Sequence, residues 1–143
     1  MGRIKLTTLS LALVAGLMAS LPAVAQDVPA SYGVWRNPKN SVHVEIRNCG
    51  AKTCGYVVWA NEEAKADARK GGTDNLVGLQ LLRDFTEQKN GVWKGKVFVP
   101  DLNMTFSGTA EFPNATTMKA KGCLLGNILC KSQTWRRVDV AAG

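Results

Sequence analysis

The chain has 143 residues, 45 % of them hydrophobic, and carries a formal charge of +7. This is enough for one domain with a modest core, and it excludes a multidomain protein, a helical membrane bundle and a disordered tail. Residues 1–25 read as an export signal. Arg3 and Lys5 form a basic head, Leu6 to Leu21 is uncharged, and Pro22 precedes Ala23-Val24-Ala25, the small-x-small form that signal peptidase cuts. Removing them leaves residues 26–143 as the domain; Arg3 and Lys5 leave with the signal, and +7 becomes +5.

Gln26 to Ser31 is a polar leader. Tyr32 to Arg36 reads as a short strand, stopped by Asn37-Pro38-Lys39-Asn40, a dense turn signal. Ser41 to Asn48 alternates, with Val42, Val44 and Ile46 on one face and His43, Glu45 and Arg47 on the other. Cys54 to Ala60 is strongly β-forming and completes a hairpin. Asn61 to Gly72 breaks the alternation and favours a short surface helix or loop, ended by Gly71-Gly72. Leu76 to Phe85 resumes as a strand with a bend at Gly78, and Lys89-Asn90-Gly91 holds an Asn-Gly turn. Val92 to Val99, Asn103 to Phe112, Ala115 to Gly122 and about Leu129 to Val138 complete the series, with turns at Pro100-Asp101 and Pro113-Asn114. The fold class is therefore all-β, with eight strands in an antiparallel meander. Such a meander must protect its edges, and an up-and-down barrel does so; a β-sandwich is the alternative.

Cys49, Cys54, Cys123 and Cys130 all follow the export segment, where an oxidising compartment turns paired thiols into disulfides. Three connectivities exist, and the local pairs Cys49–Cys54 and Cys123–Cys130 are favoured because each brackets a turn-like segment. The C-x4-C and C-x6-C spacings and a single His argue against zinc or a redox C-x-x-C pair. The basic residues are scattered and no nucleic-acid motif occurs, so the charge does not point to nucleic acid. The scattered charge reads first as a solvated, solubility-giving surface, with an anionic envelope surface as the alternative partner.

Gly33-Val34-Trp35 on the first strand, with Thr134-Trp135-Arg136-Arg137 on the last, resembles the closure device of the lipocalin and calycin group. There a Trp caps one barrel end and a basic side chain stacks over it. The resemblance implies that Gly33, Trp35 and Arg136 or Arg137 close the barrel here. A closer resemblance covers nearly all of residues 31–138: Gly33-x-Trp35, Cys49-Gly50 with Cys54-Gly55, Asp74-Asn75, Trp93-x-Gly95-x-Val97, Pro100, Gly122-Cys123 and Trp135-x-Arg137. In this order they resemble a family of small secreted bacterial proteins, domain of unknown function 2147. That resemblance implies a lipocalin-like barrel in a periplasmic or secreted setting and supplies no reaction.

The residues themselves offer no chemistry. His43, the single His, lies on a polar strand face, Glu62 and Glu63 are adjacent and point about 100° apart on a helix, and no nucleophile, P-loop or zinc-protease motif is present. The expectation is a non-enzyme with no cofactor and no metal. What remains is the barrel interior, which in eight strands is filled or holds one small ligand. The inward set is Val42, Val44, Ile46, Tyr56, Val58, Leu79, Leu81, Trp93, Val97, Met104, Phe106 and Met118. Within it Met104, Phe106, Met118, Tyr56 and Trp93 are the pocket candidates for a small apolar or amphipathic ligand. The alternative is an interaction module for an envelope component or another exported protein, using the basic surface with Trp59 and Phe98.

Overall fold

The computed structural model describes residues 28–139; the expected export signal and its cleavage site lie outside the described residues. Eight strands are present: β1 (Gly33–Arg36), β2 (Val42–Asn48), β3 (Thr53–Ala60), β4 (Gln80–Glu87), β5 (Trp93–Val99), β6 (Met104–Asn114), β7 (Thr117–Leu124) and β8 (Ile128–Arg137). One helix, α1 (Glu62–Lys70), follows β3. Each strand pairs antiparallel with the next, and β1 pairs with β8, so the sheet closes as an up-and-down barrel.

Asparagines set several of the turns. Asn37 Oδ1 accepts the N–H groups of Ser41 and Val42 at 2.8 and 3.1 Å, which fixes the exit from β1. Asn90 accepts the Val92 N–H, and Gly91 supplies the positive φ of that turn. Asn114 accepts both the N–H and the hydroxyl of Thr116, which lengthens the turn and starts β7 at Thr117 rather than Ala115. Likewise β4 starts at Gln80 rather than Leu76, because the chain turns at Gly78 (φ 91°) and Leu76 is buried against the helix side of the core.

The segment after β3 forms a helix. Asn61 caps it by accepting the Ala64 N–H at 2.9 Å, with Glu62 and Glu63 in the first turn and Arg69 and Lys70 in the last, matching the helix dipole. Ala64 and Ala68 pack on Val44, Val57, Ala60, Leu76 and Leu81, so α1 lids the β2–β5 side of one barrel end. Gly71 ends the helix against the β5–β6 turn; a Cβ there would come within 2.0 Å of the Pro100 carbonyl oxygen.

The other end is shut by Trp35, which is fully buried among Ile46, Phe85, Ala110, Met118 and Phe112. Its indole N–H donates to the Ser31 carbonyl at 2.9 Å. The Arg137 guanidinium lies 4.3 Å from its ring and donates to the carbonyls of Ala30, Tyr32 and Ala115. Gly33 makes this possible, since a Cβ at that position would lie 2.3 Å from Arg137 Nη1. Arg136 faces elsewhere and donates to Thr117 Oγ1 at 2.7 Å, so Arg137 alone covers the Trp. Both local disulfides are formed, Cys49–Cys54 near this closed end and Cys123–Cys130 near the helix end.

Trp35→Ala should cost about 3–5 kcal/mol, and Arg137→Lys, which keeps the charge and loses the plane, should cost less. Denaturant midpoints measure both; a Trp35→Ala midpoint equal to the parent's would reject the assignment of Trp35 as the end plug.

Candidate functional site

The barrel interior is packed. A pocket at the closed end, lined by Ser31, Ile46, Phe85, Trp93 and Phe112 among others, has a volume of about 10 Å³. That is at the lower limit for one water molecule. Gly95 on β5 lies opposite Gly108 on β6, and the Phe85 ring fills the space that their missing side chains leave.

The structure does not gather the five pocket candidates into one cavity. Met118 is buried beside Trp35, and Trp93 packs half-buried on the same cluster. Phe106 lies towards the helix end, half-buried, and Met104 lies at the rim, 45 % exposed. Tyr56 is a correction: it pairs with Glu45 on the outer face, and the Arg47 guanidinium covers its ring at 4.3 Å. Val58 is another. Val57 pairs with Val44 and faces the core, which leaves Val58 exposed; the β2–β3 register then shifts by one residue, and Trp59, opposite His43, is exposed as well. Phe98 is half-buried, with Arg83 4.8 Å above its ring.

The two ends of the barrel differ sharply. Because α1 covers the β2–β5 side, the β6–β8 side of the helix end is uncovered. There the inward positions are Met104, Phe106, Gly122, Lys131 and Gln133. Lys131 and Gln133 are exposed, and a Cβ added to Gly122 would touch nothing within 4 Å. Trp135 floors this shallow mouth, its indole N–H donating to Gln133 Oε1 at 3.1 Å.

Around the same end stand Val58, Trp59, Val77, Leu102, Met104, Leu125, Ile128 and Leu129, the exposed large hydrophobics of the described residues apart from Val28 in the leader. The β7–β8 hairpin tip is the densest part: Leu125, Ile128 and Leu129 are 62–80 % exposed within the loop that Cys123–Cys130 closes. Leu125 and Leu129 also have positive φ, 48° and 54°. That left-handed conformation costs a residue with a Cβ about 1–2 kcal/mol. Sequence reasoning takes this segment as a bracketed turn. The signal it passes over is composition: four large apolar residues among the six between the cysteines.

Charge is also one-sided. From Leu102 to Val138 the chain has one acid, Glu111, against Lys119, Lys121, Lys131, Arg136 and Arg137. Lys121 and Lys119 stand on the outer wall, and with Thr109, Glu111, Ser132 and Thr134 they line an open polar groove of about 250 Å³. The salt bridges among the described residues lie elsewhere: Arg47–Glu45, Lys65–Glu62 and Lys70–Asp67. Glu62 is held below its ordinary range by the hydrogen bond and charge of Lys65. His43 stacks on Trp59 at 4.5 Å and meets Asn40 Oδ1 at 2.7 Å; its pKa is lowered by partial burial and then by the Arg36 charge. Among the described residues no group of His, Cys, Asp or Glu could hold a metal ion, and no helix is long and apolar enough to cross a membrane.

A family model described as an uncharacterized protein conserved in bacteria, DUF2147, matches residues 33–137. No curated protein and no solved structure matches the chain.

The lowered pKa of His43 gives a pH dependence with a defined sign. The unfolded chain takes up the proton more readily, near pH 6.5, so stability is full above that pH and declines as the pH falls through it. Denaturant midpoints between about pH 7.5 and 5.5 should show that slope, and His43→Gln should flatten it, since the chain has one His.

Proposed function

The chain belongs to the uncharacterised bacterial family DUF2147, and from that footing we propose that it is a non-catalytic docking module of the bacterial envelope. It is exported by its N-terminal segment to the periplasm or beyond, and it meets its partner through the apolar rim at the helix end of the barrel. One observation carries the reading. Buried side chains fill the Trp35 end of the barrel and leave a pocket of about 10 Å³ there, while eight large apolar side chains stand exposed around the other end. Soluble monomers rarely gather exposed apolar surface in this way unless it meets something. Two disulfides suit an oxidising compartment, and the acid-poor β6–β8 wall suits an anionic envelope surface.

Photo-crosslinking in the native host tests it. A photoreactive residue at Leu125 should give a reproducible adduct, whereas one at Asn90, on a turn at the closed end, should not. Equal labelling from both positions, or none from Leu125, overturns the proposal.

A small apolar or amphipathic ligand is the second reading, supported by the uncovered inner surface at Met104, Phe106 and Gly122. The packed interior confines such a ligand to that shallow mouth. Native mass spectrometry of the protein from its own host should then show a bound small molecule that Phe106→Ala loses; bare protein rejects this reading.

A further inference from the structure

We propose that the disulfide-closed β7–β8 hairpin tip is a lipid-insertion element, and that the partner of the apolar rim is the surface of an anionic bilayer; this rests on the docking reading above. Three independent features converge on the tip.

The first is exposure. Leu125, Ile128 and Leu129 project where neither the core nor α1 touches them. The second is conformation. Leu125 and Leu129 hold left-handed backbone that glycine adopts without strain, as Gly126 does between them. A large side chain kept in a conformation that disfavours it points to use of the side chain itself. The third is charge. Lys131 follows Cys130 directly, and Lys121 precedes Cys123 by two residues, so they sit roughly 3 and 7 Å behind the disulfide along the strands. Lys121 is on the outer wall and Lys131 on the inner one, so the hairpin is flanked on both sides.

These spacings match an interface. With the leucines at the boundary of the acyl chains, about 5–10 Å deep, the two ammonium groups reach the level of lipid phosphates, their stems lying along apolar surface. Leu102, exposed on the neighbouring β5–β6 turn, provides a second apolar contact at the same end. Charge selects among occupants. A second copy would bring its own lysines against these, and a neutral apolar groove would leave them without counter-charge; anionic headgroups neutralise them.

Vesicle co-flotation of the purified protein tests the proposal, with phosphatidylglycerol-containing and pure phosphatidylcholine vesicles. Binding should occur to the anionic vesicles, be much weaker to the neutral ones, and fall with added salt. Lys121→Gln and Lys131→Gln should each lower the partition coefficient about fivefold. The double substitution Leu125→Gly and Leu129→Gly should lower it at least about tenfold while leaving the denaturant midpoint equal to or above the parent's, because glycine relieves the left-handed backbone. That pairing separates lost insertion from lost folding. Absence of binding to anionic vesicles overturns the proposal. So does binding that the double glycine variant retains, or a concentration-dependent dimer that the variant abolishes. A protein adduct at Leu125 in cells, without vesicle binding, overturns lipid insertion and leaves the docking reading standing; failure of both experiments removes both.

Discussion

The seam between β1 and β8 is the constraint on which the molecule depends. β1 has four residues, and only Trp35 and Arg36 pair with β8, whereas β7 and β8 are paired along eight positions. A barrel held by so short a ladder is close to an open sheet with two free edges. Side chains hold it together. Arg137 comes from β8, covers the indole of β1 and donates to carbonyls in the leader and in the β6–β7 turn. One planar group thus joins three segments that the backbone ladder ties weakly. Lysine has the charge but neither the plane nor the fork of donors.

Closing the barrel this way determines what the interior can hold. Trp35 fills the centre of one end and draws Ile46, Phe85, Met118 and Phe112 around it. Phe85 reaches across the barrel because Gly95 and Gly108 leave room, and it occupies the volume that a ligand would need. At the other end α1 covers only the β2–β5 side. The barrel is therefore packed at its base and along one wall and unfinished at one rim, and its capacity for contact moves from the interior to that rim.

Much of this was legible in the chain. Clean alternation in Val42–Ile46 and Met104–Phe112 reflects walls with one face buried, and the Asn-rich turns carry their own side-chain acceptors. Gly33-x-Trp35 with a terminal arginine pair announced the closure. It could not say which arginine acts, because that depends on the register Trp35↔Arg137, a property of the assembled seam. The hairpin register was illegible for the same reason. Tyr56 and Val58 fit an inward alternation in isolation, but the hairpin register sets Tyr56 opposite outward Glu45 and Val57 opposite inward Val44, which reverses the phase. The rim was hidden differently: its apolar residues come from three strand ends (β3, β6 and β8) and three connections (α1–β4, β5–β6 and β7–β8) and converge only when the barrel is closed.

The two disulfides then have different duties. In the chain-entropy model each short loop contributes about 2–2.5 kcal/mol. At Cys49–Cys54 that reinforces the end that Trp35 already closes, near Cys54 and Thr53 in the buried core. At Cys123–Cys130, where Cys123 is buried and Cys130 exposed, the same amount roughly offsets the 1–2 kcal/mol that each left-handed leucine costs. Stability alone would be better served by Asn or Gly at these two positions, with the bridge kept. A covalent bond that holds exposed leucines in an unfavourable conformation makes sense where the leucines are needed at the surface. A covalently closed loop of the barrel is therefore also an exposed apolar one, at the end that the fold leaves open.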